Sequence, residues 1–147
     1  MTVTTPTPAP PTGRPHSPVA DHRLAVALPC GPHSPRLARH IAARWLAAHG
    51  APASRLCNAV LIVSELVTNA VRHTHEPCTL QLTWRGSRLD IAVADHGEKP
   101  PETSGAPGEH GGFGLPLIEG LGGRIETVPA LGGKTVHATV TLTPFGA

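Results

Sequence analysis

Glu65 and Asn69 are candidate functional residues, because a carboxylate and an amide lie four positions apart in the chain. On a helix this spacing places both side chains on one side, one turn apart. A carboxylate and an amide oxygen in this arrangement could hold Mg²⁺ and orient a hydroxyl or water for attack on a phosphate. The alternative is that both side chains are simply solvated on an exposed helix surface.

Asp95 ends an alternating segment in which Leu89, Ile91 and Val93 share its parity. Residues of one parity point to one face of a strand, so the carboxylate is expected to point inward with the apolar side chains. A buried acid needs a donor, which a ligand amine such as that of adenine could supply, and Gly97 would let the base approach the backbone. The alternative is a capping or turn function at the strand end.

Gly112 and Gly114 lie just before a short helix that we predict at residues 115–121. Backbone N–H groups there could surround phosphate oxygens at the positive end of the helix dipole. Glycine clusters also serve merely as hinges. The segment lacks the third glycine of a dinucleotide fingerprint, and a P-loop ending at residues 133–135 would lack its first glycine, so neither familiar nucleotide motif is present.

Composition and the remaining polar residues exclude several other classes of protein. The 147 residues suit one domain, and three scattered cysteines do not make a disulfide framework. A net charge of +2 without a dense basic run does not favour nucleic-acid binding. His73, His75 and Cys78 match no ordinary zinc spacing, and no clear hydrolase triad is present. No apolar run is long enough to cross a membrane, so we expect a soluble, cytoplasmic protein.

Hydrophobic periodicity predicts the helices and strands on which these residues lie. Helical spacing indicates one helix that begins at Ser34 as its cap and ends at Gly50, with Leu37, Ile41 and Trp45 along one stripe. A second helix is predicted to end at His73, with an apolar face formed by Leu56, Val60, Val63, Val67 and Ala70. Alternation predicts strands at residues 23–28, 80–84, 89–95, 124–128 and 135–142.

The order of these elements predicts an α+β fold, a two-layer α/β sandwich. Its sheet should be mixed, mostly antiparallel, and covered by helices on one face. Residues 98–111, rich in Gly, Pro and Glu, are expected to form a mobile loop. Residues 1–20, rich in Pro and Thr, are expected to be a disordered tail, which leaves residues 21–147 as the folded domain.

Three segments together resemble the Bergerat-fold (GHKL) ATP-binding family over about residues 23–142. Residues 65–73, ELVTNAVRH, resemble its N box; residues 95–97, DHG, resemble its first glycine box; and residues 112–115, GFGL, resemble its second. Their order and spacing also agree with the family. Within that family the chain is similar to the small anti-sigma-factor serine/threonine kinases of actinobacteria.

The resemblance implies a function for each matching residue. Glu65 would be the general base, Asn69 would coordinate Mg²⁺, and Asp95 would bind the adenine amine beside Gly97. The phosphate lid would be lined by Gly112, Gly114 and Leu115. The family commonly has Gly-Thr before the final strand, and that threonine contacts adenine, whereas here Lys134 separates Gly133 from Thr135. Either Lys134 or Thr135 could replace the family threonine, and we take Thr135 as the nucleotide-binding residue.

The resemblance also implies two functions from different classes. The first is a kinase that transfers the γ-phosphate of ATP to a serine or threonine of a small antagonist protein. The second is a non-catalytic module that uses ATP only to sequester a sigma factor or another regulator. Either function would use ATP and Mg²⁺ as cofactors, and the family suggests a homodimer.

Overall fold

The computed structural model describes residues 21–74, 76–96 and 123–142 of the chain. The elements in chain order are β1 (Asp21–Leu28), α1 (Ser34–Ala48), α2 (Ala53–His73), β2 (Cys78–Arg85), β3 (Arg88–Asp95), β4 (Arg124–Ala130) and β5 (Gly133–Thr141). The predicted two-layer α+β fold is confirmed. The expected tail at residues 1–20, the loop at 98–111 and the short helix at 115–121 lie outside the described residues.

The five strands form one sheet in the order β1-β2-β3-β5-β4. Every pairing between described strands is antiparallel. The two predicted hairpins are present, and their turns contain Gly86 with φ of 63° and Gly132 with φ of 77°, a left-handed backbone that glycine adopts without strain. Because β5 pairs with β3 in the antiparallel direction, the first residues of β5 lie next to the end of β3.

The two faces of the sheet differ because side chains alternate along each strand. Both helices pack on one face, where the strands contribute a continuous apolar layer to the core. The large side chains of this layer that are almost fully buried are Leu28, Leu80, Leu82, Leu89, Ile91 and Val93. The opposite face carries polar side chains such as Asp90, His137 and Thr139, which bond to one another between β3 and β5.

Helix α1 turns a different stripe toward the core from the one predicted. Its buried apolar residues are Ala38, Ala42 and Leu46, one position further along than the predicted stripe, whereas Leu37 is 41% exposed. Small alanine side chains allow the helix to pack closely, which explains the shift. Ser34 is also not the cap: it lies in the first turn, and its hydroxyl donates to the Pro29 carbonyl.

Helix α2 crosses the sheet and contacts β2, β3 and β5. Its buried face is wider than predicted, because residues beside the predicted stripe are buried as well. The buried residues of α2 are Ala59, Ile62, Val63, Leu66, Val67 and Ala70. After the helix, Thr74 Oγ1 accepts a hydrogen bond of 2.7 Å from the Glu76 N–H and turns the chain toward β2.

The helices in the described part of the chain are α1 and α2. None of them is long and apolar enough to cross a membrane.

Candidate functional site

Asp95 is the last residue of β3, and its carboxylate points into the core side of the sheet. Its side chain is only 2% exposed. The parity rule explains this position, since Leu89, Ile91 and Val93 on the same strand are buried on the same face. A carboxylate in such a place requires hydrogen-bonding or ionic partners, because an unpaired buried charge is strongly unfavourable.

Lys134 supplies one such partner from the neighbouring strand. In the register between β3 and β5, Asp95 lies directly opposite Lys134, so both side chains point to the same face. The Lys134 ammonium is 3.0 Å from Asp95 Oδ2 and 3.3 Å from Oδ1, and the lysine side chain is 7% exposed. The site therefore contains a buried ion pair at the end of the sheet.

Gly133 allows the two strands to meet at this point. A Cβ atom added to Gly133 would lie 1.9 Å from the Asp95 carbonyl oxygen and 2.8 Å from the His96 Cα. Both are backbone atoms, so no change of rotamer could relieve the contact. The residue before Lys134 must therefore be glycine if the ion pair is to form in this geometry.

Asn69 on α2 lines the same small pocket as Asp95 and Lys134. The pocket lies between the C-terminal half of the helix and the adjoining ends of β3 and β5. Its lining residues are Leu66, Asn69, Ala70, Val93, Asp95, Lys134 and Val136. The fold thus brings together the amide and the acid that were singled out in the sequence, although 26 residues separate them along the chain.

Glu65 lies one helical turn before Asn69 on α2 and is partly buried. Burial raises the pKa of the Glu65 carboxyl above its ordinary value, and the nearby positive charge of Arg72 partly opposes this rise. A carboxylate with a raised pKa is a stronger base for a hydroxyl proton than an ordinary glutamate. Glu65 is not among the residues that line the pocket of Asp95 and Asn69, so its function as a general base stays a prediction.

Thr135 is not brought to this pocket. Buried Lys134 and Val136 flank it on β5, so its own side chain points to the opposite, polar face of the sheet. Lys134 occupies the place beside Asp95 for which we expected Thr135. The sequence left Lys134 open as the alternative to Thr135, and the structure favours Lys134, which shares parity with the buried Val136, Ala138 and Val140.

The other residues expected at the site lie outside the described residues. These are Gly97, Gly112, Gly114 and Leu115.

A metal ion bound in this pocket would be held mainly by the phosphates of the bound nucleotide. In the described ranges no group of three or more His, Cys, Asp or Glu side chains could hold an ion. Mg²⁺ usually takes only one or two protein oxygens and completes its shell with phosphates and waters, so the Asn69 amide oxygen fits that pattern. Burial, with nearby Asp95 and Cys30, raises the pKa of the Cys78 thiol to about 11, which makes it a poor metal ligand.

The chain matches a protein family defined by this fold. The model of the histidine kinase-like ATPase domain family matches residues 28–140, which is more than half of the chain. The chain therefore belongs to the histidine kinase-like ATPase domain family, and this membership supports ATP binding. No curated protein matches the chain in sequence.

Solved structures also match the chain, and one of them shares its fold. The crystal structure of the RsbU and RsbW domains of Rv1364c from Mycobacterium tuberculosis matches with a TM-score of 0.61 and 24% identity. The match covers 82% of this chain but 32% of that one, so this chain spans about a third of its length. A blue-light activated histidine kinase of Erythrobacter litoralis EL346 matches with a TM-score of 0.47 and 27% identity, over 63% of this chain and 32% of that one.

Proposed function

We propose that the chain is an ATP-dependent protein kinase that phosphorylates a serine or threonine of a small antagonist protein. The observation that carries the proposal is the pocket lined by both the buried Asp95 and the partly buried Asn69. A purine amine would donate to the Asp95 carboxylate, and the Asn69 amide oxygen would hold Mg²⁺ beside the phosphates. Membership of an ATPase domain family supports this assignment of the pocket.

Glu65 would act on the hydroxyl of the partner protein. In the transfer, the hydroxyl oxygen forms a bond to the γ-phosphorus while the bond from that phosphorus to the bridging oxygen of ADP breaks. The proton of the hydroxyl passes to the Glu65 carboxylate, and ADP leaves. Mg²⁺, when bound, neutralises negative charge on the phosphate oxygens. The partly buried position and raised pKa of Glu65 support its function as this base.

The partner proteins follow from the same assignment. The structure that shares the fold includes a domain named RsbW in a longer chain. An antagonist protein would be the phosphate acceptor, and a sigma factor would be the regulator that the chain binds in its ATP-bound form. Homodimer formation belongs to this proposal too, and light scattering of the purified chain would test it.

Nucleotide binding is the first step to test. Isothermal titration calorimetry with Mg²⁺ present should detect ATP binding, and Asp95→Asn should weaken it by about 1–3 kcal/mol because the amine loses its ionic acceptor. Asp90→Asn is the matched control, since Asp90 lies on the same strand but faces the opposite side, 3.2 Å from His137 Nδ1. Equal losses of ATP affinity in both variants would contradict the assignment of Asp95 to the adenine-binding site.

A change in the ligand avoids any effect of the substitution on folding. Asp95→Asn also leaves the Lys134 ammonium without its ionic partner and is expected to lower stability. The native chain should therefore also be titrated with the triphosphate of purine riboside, which lacks the exocyclic amine. Equal affinity of the native chain for this ligand and for ATP would show that Asp95 does not bind an amine.

Phosphate transfer is the second step to test. The chain should transfer radiolabelled γ-phosphate from ATP to a candidate antagonist protein, and Glu65→Gln should lower the rate at least about 100-fold while ATP still binds. Glu126→Gln is a suitable control, because Glu126 is exposed on β4. A chain that binds its partner in an ATP-dependent way without any transfer would instead be the non-catalytic binding module.

A further inference from the structure

The buried ion pair places a hydrogen-bond acceptor and a donor side by side at the closed end of the pocket. Asp95 and Lys134 lie directly opposite each other in the register between β3 and β5. Their charged atoms are 3.0 Å apart, and the two side chains are 2% and 7% exposed. Any group that reaches the Asp95 carboxylate within this pocket must therefore also come close to the Lys134 ammonium.

The space beside the pair is small. The pocket has a volume of about 10 Å³, which is room for about one water molecule. A planar base needs more space than this, and a shift of the flexible lysine side chain along the pocket wall would supply it. The shifted ammonium should stay close to the carboxylate, because separating a buried ion pair is strongly unfavourable and leaves two uncompensated charges. The shifted ammonium would then face the edge of the base next to Asp95.

The edge of adenine has the complementary pattern. Its exocyclic amine is a donor, and the ring nitrogen next to that amine, N1, is an acceptor. An ammonium has three N–H donors, so Lys134 can donate to one carboxylate oxygen and to a ring nitrogen at the same time. Thr135 points to the other face of the sheet and is not among the residues that line the pocket.

We propose that Lys134 is a specificity-determining residue of the base site, whose ammonium donates to the adenine N1 while Asp95 accepts from the amine. This inference rests on the proposed function, since it assumes that the pocket beside Asp95 receives the base of ATP. It assigns to Lys134 the recognition of a base nitrogen. The lysine then has two functions: it neutralises Asp95 in the free protein, and it donates a hydrogen bond to the adenine base in the complex.

A change of one atom in the ligand tests the contact. In 1-deaza-ATP a C–H group replaces N1 and the amine is kept, so only the acceptor for Lys134 is lost. The native chain should bind ATP about tenfold or more tightly than 1-deaza-ATP, as expected when a hydrogen bond from a charged donor is removed. Lys134→Met should bind the two ligands within about twofold of each other, because its side chain cannot donate.

Arg88→Met is the matched control for loss of a positive charge. Arg88 begins β3 and is exposed on the opposite face from Asp95. This variant should keep the native preference for ATP over 1-deaza-ATP. Thermal melting of all three proteins with and without ligand establishes that each of them is folded in the titration.

Three results would overturn the inference. The native chain could bind both ligands equally, which shows without any variant that N1 makes no contact. Lys134→Met could keep the tenfold preference with both affinities lowered alike, as for a purely structural lysine. It could also keep the tenfold preference with both affinities raised alike, as for a lysine that only obstructs the pocket. In each case Asp95-dependent ATP binding would still stand, whereas a native chain that binds neither ligand would remove the proposed function as well.

Discussion

Replacing Gly133 with alanine is expected to separate the beginning of β5 from the end of β3. The new Cβ atom would lie 1.9 Å from the Asp95 carbonyl oxygen, whereas ordinary contacts begin at 3.4 Å. One of the two backbone segments must therefore move by about 1.5 Å. The displaced atoms belong to Asp95 itself and to Gly133, which directly precedes Lys134, so the movement also disturbs the contact of 3.0 Å between Lys134 and Asp95.

The magnitude follows from these two effects. Overpacking of a close-packed site costs about 1–3 kcal/mol, and breaking a buried ion pair by removal of one partner costs about 3–5 kcal/mol. Because the substitution strains the pair but removes neither charge, we expect the free energy of unfolding to fall by about 3 kcal/mol. The affinity for ATP should fall in parallel, since Asp95 and Lys134 would no longer be held in register.

Urea denaturation and calorimetric titration with ATP measure the two quantities. Gly132→Ala is the control: Gly132 has φ of 77° and nothing within 4 Å of an added Cβ, so alanine there meets only the unfavourable left-handed backbone, about 1–2 kcal/mol. It should leave the affinity for ATP unchanged. If Gly133→Ala were no more costly than Gly132→Ala, or bound ATP like the native chain, the close approach of the two strands would not position the site.

Three further outcomes are expected. The rate of phosphate transfer should rise with pH through a pKa above that of an ordinary glutamate. The reason is that burial raises the pKa of Glu65 and only its carboxylate form can accept the proton. A transfer rate that is independent of pH in the acid range would exclude Glu65 as the base. Thr135→Val should change the affinity for ATP by less than about twofold, since the side chain points away from the pocket, and a tenfold loss in titration would contradict that placement. Ile62→Ala should lower the unfolding free energy by about 2–5 kcal/mol in urea, whereas Leu61→Ala, at a position 50% exposed, should change it by less than about 0.5 kcal/mol.

The local pattern of the sequence was sufficient to predict the helices and strands within the described residues and the direction of the Asp95 side chain. Two-residue alternation along β3 specifies which side chains share a face, and a single strand contains that information. The same holds for the two hairpins, where Gly86 and Gly132 mark the turns between alternating runs. The spacing of Glu65 and Asn69 on one helix likewise requires no knowledge of the rest of the fold.

The helix faces were only partly determined by the sequence. Apolar residues occur on more than one side of α1 and α2, so periodicity allows several candidate stripes. The close approach of the helices selected the small side chains Ala38 and Ala42 rather than Leu37, because alanine permits denser packing against a neighbouring helix and sheet. This selection depends on which surfaces face each other, and no single helix contains that information.

The pairing of Asp95 with Lys134 was decided by the tertiary structure alone. Their inward directions follow from parity on each strand, but their contact depends on β5 lying next to β3 in one particular register. A register shifted by one residue would place Thr135 opposite Asp95. The physical reason is that alternation fixes the face of a side chain, while only the packed sheet fixes its neighbour across the strands, and here that neighbour is a buried charge.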